Sequence, residues 1–99
     1  MDSASVLLDV LRLMINPLKI SEADAVNLFD GLSFQQQAVA KMVAAGFQAP
    51  YIAGILNISA STVRKHREIA ARKMGVHNSY GLAAIVCVAV RAKSNEEAL

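Results

Sequence analysis

ISASTVRKHREIAARKMGVHN, Ile58 to Asn78, is the stretch that decides how this chain is read. Ser59 stands where a helix N-cap belongs, and Gly75 stands where a helix C-cap glycine belongs. Between them Val63, His66, Ala70 and Met74 follow helical spacing and predict an inward stripe. Ser61, Lys65, Glu68 and Arg72 step by four, three and four residues, so they form a second stripe facing away from the first, with Arg64 beside it. The stretch holds five cations, Arg64, Lys65, Arg67, Arg72 and Lys73, against Glu68 as its one acid. The remaining residues carry five cations and seven acids, and the whole chain stands at +2. The positive charge is therefore focused, and focused positive charge steers a polyanion.

Upstream of this helix the sequence supplies a partner for it. Ser33 and Gln36 fit a capping box, and Val39, Met42, Val43 and Phe47 follow helical spacing around a break at Gly46. Gln48-Ala49-Pro50 then reads as a new N-terminus with proline in its first turn, and Tyr51, Ile52, Ile55 and Leu56 are expected to give that short helix one apolar face. Asn57-Ile58-Ser59 is a tight connection. Two short helices joined by a tight turn, the second of them basic, describe a helix-turn-helix, whose second helix enters the major groove. Downstream, Asn78 or Ser79 opens a last helix expected from about Tyr80 to Ala92. No useful length of the chain alternates with period two, so the fold is predicted to be all-α.

Leu32-Ser33, Val39 and Met42, Gly46, Ile52-Ala53, Leu56, Ile58-Ser59, Thr62-Val63-Arg64, His66, Lys73-Met74-Gly75-Val76 and Asn78 together resemble the DNA-binding domain of the LuxR/GerE family. The resemblance runs from Leu32 to Val90. It implies a four-helix LuxR/GerE-type helix-turn-helix domain, here preceded by one or two further helices, and it implies a transcription regulator that binds double-stranded DNA. Two departures stand out. Gln48-Ala49-Pro50-Tyr51 occupies the place where the family usually has Ser-Asn-Lys-Glu, which weakens phosphate contact from that helix. Glu68 puts an acid on the proposed DNA-facing stripe, followed by Ile69-Ala70 in place of the usual Asn-Ile.

With residues 60–74 as recognition helix, Arg64 and Lys65 in its first turns are best placed for base edges, where a bidentate arginine-guanine contact discriminates by about 1–3 kcal/mol. Glu68 either accepts from a cytosine amino group or opposes binding. Ser61, Thr62, His66, Arg67, Arg72 and Lys73 are expected at phosphates, giving attraction that salt weakens. His66 has packing against the preceding helix as its other role, and His77 is expected to be an exposed turn residue.

The flanks are apolar. Val6 to Ile15 is interrupted only by Asp9 and Arg12 before Asn16-Pro17 stops it, and a second short helix is expected from Ser21 to Asp30-Gly31, with Ala25, Val26, Leu28 and Phe29 inward. The last helix contains Leu82, Ile85, Val86 and Ala89, more apolar surface than packing on one small core requires. Self-association is the expected outlet, with cover by the chain's own Val6 to Ile15 helix as the alternative, and the family's last helix commonly forms a dimer contact. Val6, Leu7, Val10, Leu11, Leu82, Ile85, Val86 and Ala89 are therefore expected at a homodimer or partner interface. The domain plan is an N-terminal extension over 1–31, the helix-turn-helix domain over 32–93 and a tail over 94–99.

Composition bounds the rest. Ninety-nine residues make one domain, and a 55% hydrophobic content is rich for a chain of that size, which again points to a partner. The run Leu82 to Val90 falls well short of the roughly 20 residues that span a bilayer. Met1-Asp2 lacks the start of a signal peptide, and Cys87 is alone, so a cytoplasmic setting is expected. Two histidines and one cysteine have no zinc spacing, so neither metal, cofactor nor catalytic group is expected. A second reading comes from a different class: a module that keeps this fold but captures another transcription regulator, as an anti-activator or co-regulator.

Overall fold

The computed structural model describes residues 20–98, which form five helices and no strand. These are α1 (Glu22–Asp30), α2 (Phe34–Ala44), α3 (Ala49–Leu56), α4 (Ala60–Met74) and α5 (Ser79–Ala98). The segment Val6 to Ile15, with Val6, Leu7, Val10 and Leu11, lies outside the described residues.

Local chemistry sets the boundaries of these helices. Ser21 Oγ accepts from the Asp24 amide at 3.1 Å and starts α1, and Gly31 closes it. Ser33 and Gln36 form a complete capping box at the head of α2, with each side chain accepting from the other residue's amide. At the tail of α1, Gln37 Nε2 donates to the carbonyls of Phe29 and Leu32 at 3.2 and 3.3 Å, which satisfies groups a helix end would leave orphaned. Asn57 is left-handed at φ 56° and ψ 46°, a conformation asparagine tolerates better than most residues, and it turns the chain from α3 into α4. Gly75, at φ 73°, ends α4, and Asn78 Oδ1 accepts from the Gly81 amide at 2.9 Å to start α5. A Cβ on Gly81 would sit 2.9 Å from Val76 Cβ, so the α4–α5 loop lies this close to α5 only because residue 81 has no side chain.

Two cores hold the helices. Val39, Ala49, Ile52, Ala53 and Val63 join α2, α3 and α4, and they are the helix-turn-helix's own core. A larger cluster carries Ala25, Phe29, Ala40, Ala70, Met74, Leu82, Ile85, Val86, Val88 and Ala89, joining α1 and α5 to the inner sides of α2 and α4. Burying a residue such as Ile52 or Phe29 fully contributes about 1.5–3 kcal/mol. Phe29, 1% exposed, also lies under the ammonium groups of Lys41 and Lys93 at 5.6 and 5.5 Å, and Lys93 pairs with Asp30.

Three sequence expectations change. Phe47 falls beyond the end of α2 and stacks on Tyr51 instead, with ring centroids 4.8 Å apart. On α3, Ile52 is buried and Leu56 half-buried, but Tyr51 and Ile55 are each 55% exposed, because the face that meets α2 and α4 is made by Ala49, Ile52 and Ala53. The last helix runs on through Ala98 rather than stopping near Ala92, since Lys93 to Ala98 contain neither glycine nor proline to end it.

Candidate nucleic-acid interface

The exposed side of α4 is possible because so few residues hold its other side. Val63, Ala70 and Met74 are buried, and Ser59 caps the first turn, accepting from the Thr62 amide at 3.1 Å. Its Oγ also lies 2.7 Å from Thr62 Oγ1 and 3.1 Å from Ser61 Oγ, so three hydroxyls cluster at the helix start. From that frame Ser61, Arg64, Lys65, Glu68 and Arg72 all project into solvent, and Thr62, His66 and Arg67 are half-buried. The expected stripe is thus one continuous surface.

Electrostatically, the surface is cationic with one internal tie. Glu68 and Arg72 pair at 3.7 Å, with both side chains more than 70% exposed, a distance and exposure at which an ion pair is weak. Arg64 and Lys65 form no ion pair among the described residues. Lys73 is exposed but committed, since its Nζ donates to Gln36 Oε1 at 2.9 Å and so ties the end of α4 to the capping box of α2. His66 is held by packing: its Nδ1 is buried without a hydrogen-bond partner.

Alongside the stripe, an open groove of about 710 Å³ runs between α4 and the start of α5, lined by Arg64, Arg67, Glu68, Arg72, His77, Asn78 and Ser79 among others. Sequence reasoning placed His77 in the turn, where it is exposed, but did not bring Asn78 and Ser79 to this groove. Their signal was there as a helix start, and a helix start next to arginines favours an anion. The Gln36–Lys73 bond had no local signal, because its partners are 37 residues apart.

Leu82, Ile85, Val86 and Ala89, expected at an interface, are buried within the chain itself, at 0, 2, 2 and 0% exposure. From Ser79 to Asn95, α5 leaves Ser79, Tyr80, Cys87, Arg91, Ser94 and Asn95 outside, with Gly81, Ala83, Val90 and Lys93 half-covered. Among the described residues no three His, Cys, Asp or Glu side chains gather as a metal site would require, and no helix is long and apolar enough to cross a membrane.

A short helix, a left-handed turn and a capped basic helix with its cations outward define the class: a helix-turn-helix DNA-binding domain. The model of the family GerE, "Bacterial regulatory proteins, luxR family", matches residues 30–86, more than half of the chain, and the chain belongs to that family. It is a DNA-binding transcription regulator by class. No curated protein matches the chain, and no solved structure matches it either.

Proposed function

We propose that the chain binds specific double-stranded DNA sequences as a homodimer, acting in the cytoplasm, with α4 in the major groove. The observation that carries this reading is the unpaired, outward placement of Arg64 and Lys65 on a helix whose opposite side is locked into the core. In this reading Arg64 and Lys65 meet base edges, with Glu68 accepting from cytosine when Arg72 releases it. Ser61, Thr62, His66 and Arg67 meet phosphates, joined by Arg72, and Lys73 joins them only by leaving Gln36. The two-fold contact draws on the outer side of α5 and on Val6, Leu7, Val10 and Leu11, with Leu82, Ile85, Val86 and Ala89 backing it from the core. Such a dimer sets its recognition helices about 34–36 Å apart, one turn of DNA.

The test is a gel shift at low salt against genomic fragments, with sedimentation to count protomers. Arg64→Glu with Lys65→Glu is expected to weaken binding about a hundredfold or more, since two base-edge contacts of about 1–3 kcal/mol each become repulsive. Binding that survives the reversal sinks this reading.

A second reading has its own observation. α3 carries no charged residue and exposes Tyr51 and Ile55, which suits a protein partner better than a phosphate backbone. On that reading the chain captures another protein, such as a transcription regulator.

A further inference from the structure

Besides its exposed stripe, α4 has two flanks, and they are equipped differently. Arg64, Arg67 and Ala71 step by three and four residues and line the groove beside α5. Thr62, His66, Ile69 and Lys73 step by four, three and four, and the bond from Lys73 to Gln36 marks that row as the side toward α2. A helix lying in the major groove has a phosphate backbone on either side of it. The groove flank can meet one strand with two arginines that form no ion pair among the described residues. The α2 flank has one fixed charge, Lys73, and its ammonium is bonded to a neutral oxygen of the chain itself.

That oxygen serves two helices at once. Gln36, 8% exposed, is the one buried polar residue among the described residues. Its Oε1 accepts from the Ser33 amide at 3.1 Å and from Lys73 Nζ at 2.9 Å, so both lone pairs of a single carbonyl are taken. The first bond belongs to the cap of α2, and the second reaches the last turn of α4. When Lys73 leaves, Oε1 keeps the Ser33 amide and Ser33 Oγ keeps the Gln36 amide, so the capping box stays closed and no buried acceptor is orphaned. Lys73 is exposed, and Ala70 and Met74 hold the helix from the core, so the ammonium can turn outward while the backbone stays. A phosphate oxygen adds a full negative charge to the hydrogen bond and so outcompetes a neutral carbonyl.

We propose that Gln36 is a positioning residue for DNA binding: it holds the Lys73 ammonium on the α2 flank of the free protein and yields it to a backbone phosphate when duplex DNA arrives. The neutrality of Gln36 is what permits the transfer. A glutamate at residue 36 would serve the capping box equally well, yet it would retain Lys73 as an ion pair. The inference rests on the DNA-binding reading and adds to it a residue that itself touches no DNA.

The test follows the affinity of the full chain for a nonspecific duplex by fluorescence anisotropy across a salt series, because the slope of log affinity on log salt counts phosphate contacts. Lys73→Met is expected to make that slope shallower by about 0.9, the value of one contact. Gln36→Glu leaves Lys73 in place and still offers an acceptor to the Ser33 amide, so it is expected to flatten the slope by the same amount with a melting temperature no lower than the parent's. Gln36→Glu combined with Lys73→Met should match Lys73→Met alone, since residue 36 acts only through Lys73. A brace with no part in DNA contact would shift melting temperatures and leave all four slopes equal, which would overturn the proposal. A flatter slope in Lys73→Met with Gln36→Glu unmoved would also overturn it, because Lys73 would then be a contact that residue 36 does not control. Arg64→Glu with Lys65→Glu is measured alongside. If the parent binds no duplex, or if that reversal leaves binding unchanged, the DNA reading fails and the proposal falls with it. If the reversal abolishes binding while the parent and Gln36→Glu share one slope, the transfer from Gln36 fails alone.

Discussion

α3 and α4 are the two halves of one motif, and they are built on opposite principles. α4 has a side-chain cap, three buried residues on one side and a charged exterior, so its inside and outside are chemically separate. α3 has no side-chain cap, Pro50 in its first turn, and apolar residues on its outside as well as its inside. The difference teaches that in a helix of eight residues burial is decided by which neighbours arrive, not by hydropathy. Ile52 and Ile55 are chemically identical, yet one is sealed between α2 and α4 and the other stands in water.

The most forceful way to break that comparison is to truncate both faces of α3. Ile52→Ala removes methyl groups from the small core shared with Val39 and Val63, and large-to-small changes at such sites cost about 2–5 kcal/mol. Tyr51→Ala, one residue away and 55% exposed, is expected to cost only about 0.5–1.5 kcal/mol, the loss of its stack on Phe47. Urea unfolding of the two variants checks this, with the parent as reference. Similar losses in both would mean that the outer face is covered by the chain's own residues.

The same contrast explains what could be read from sequence. Caps were legible at Ser21, Ser33 with Gln36, Ser59 and Gly75, and the start of α5 to within Asn78 or Ser79, because a cap is chemistry among residues three or four apart. So was the inward stripe of α4, where fifteen residues give the 3.6 period room to show. On α3 the period had barely two turns to act, so Tyr51 and Ile55 looked as buried as Ile52. The exposed stripe of α4 was legible as a face, since spacing alone sets which side chains share one. The pairing of Lys73 with Gln36 was not, because it depends on how α2 and α4 meet. Nor could sequence separate core from interface in Leu82, Ile85, Val86 and Ala89, since surplus apolar surface looks the same whether the chain or a partner covers it.

A milder intervention sharpens the difference at the helix starts. Ser59→Ala removes the oxygen that takes the Thr62 amide and gathers the Ser61 and Thr62 hydroxyls, and losing such a cap costs about 1 kcal/mol. Gln48→Ala at the head of α3 removes no side-chain cap bond and should be near neutral. Thermal melts followed by circular dichroism at 222 nm separate the two. A cost at Gln48 equal to that at Ser59 would contradict the asymmetry.

The smallest effect on stability tests the charged side of α4 most directly. Glu68 and Arg72 are both exposed and 3.7 Å apart, so Glu68→Gln should leave the fold within a few tenths of a kcal/mol of the parent. Its effect on DNA is larger, because Arg72 then has no carboxylate to hold it and one acid leaves the reading stripe. If Arg72 turns to a phosphate, the dependence of log affinity on log salt steepens by about 0.9 on nonspecific duplex, the value for one more contact. Nonspecific affinity at low salt should rise several-fold in the same measurement. A slope that does not move would leave Arg72 outside the contact and confine the interface to the first turns of α4, where Arg64 and Lys65 lie. A rise in nonspecific affinity accompanied by lost discrimination at a cytosine within a known site would show that Glu68 had been reading that base while restraining its neighbour.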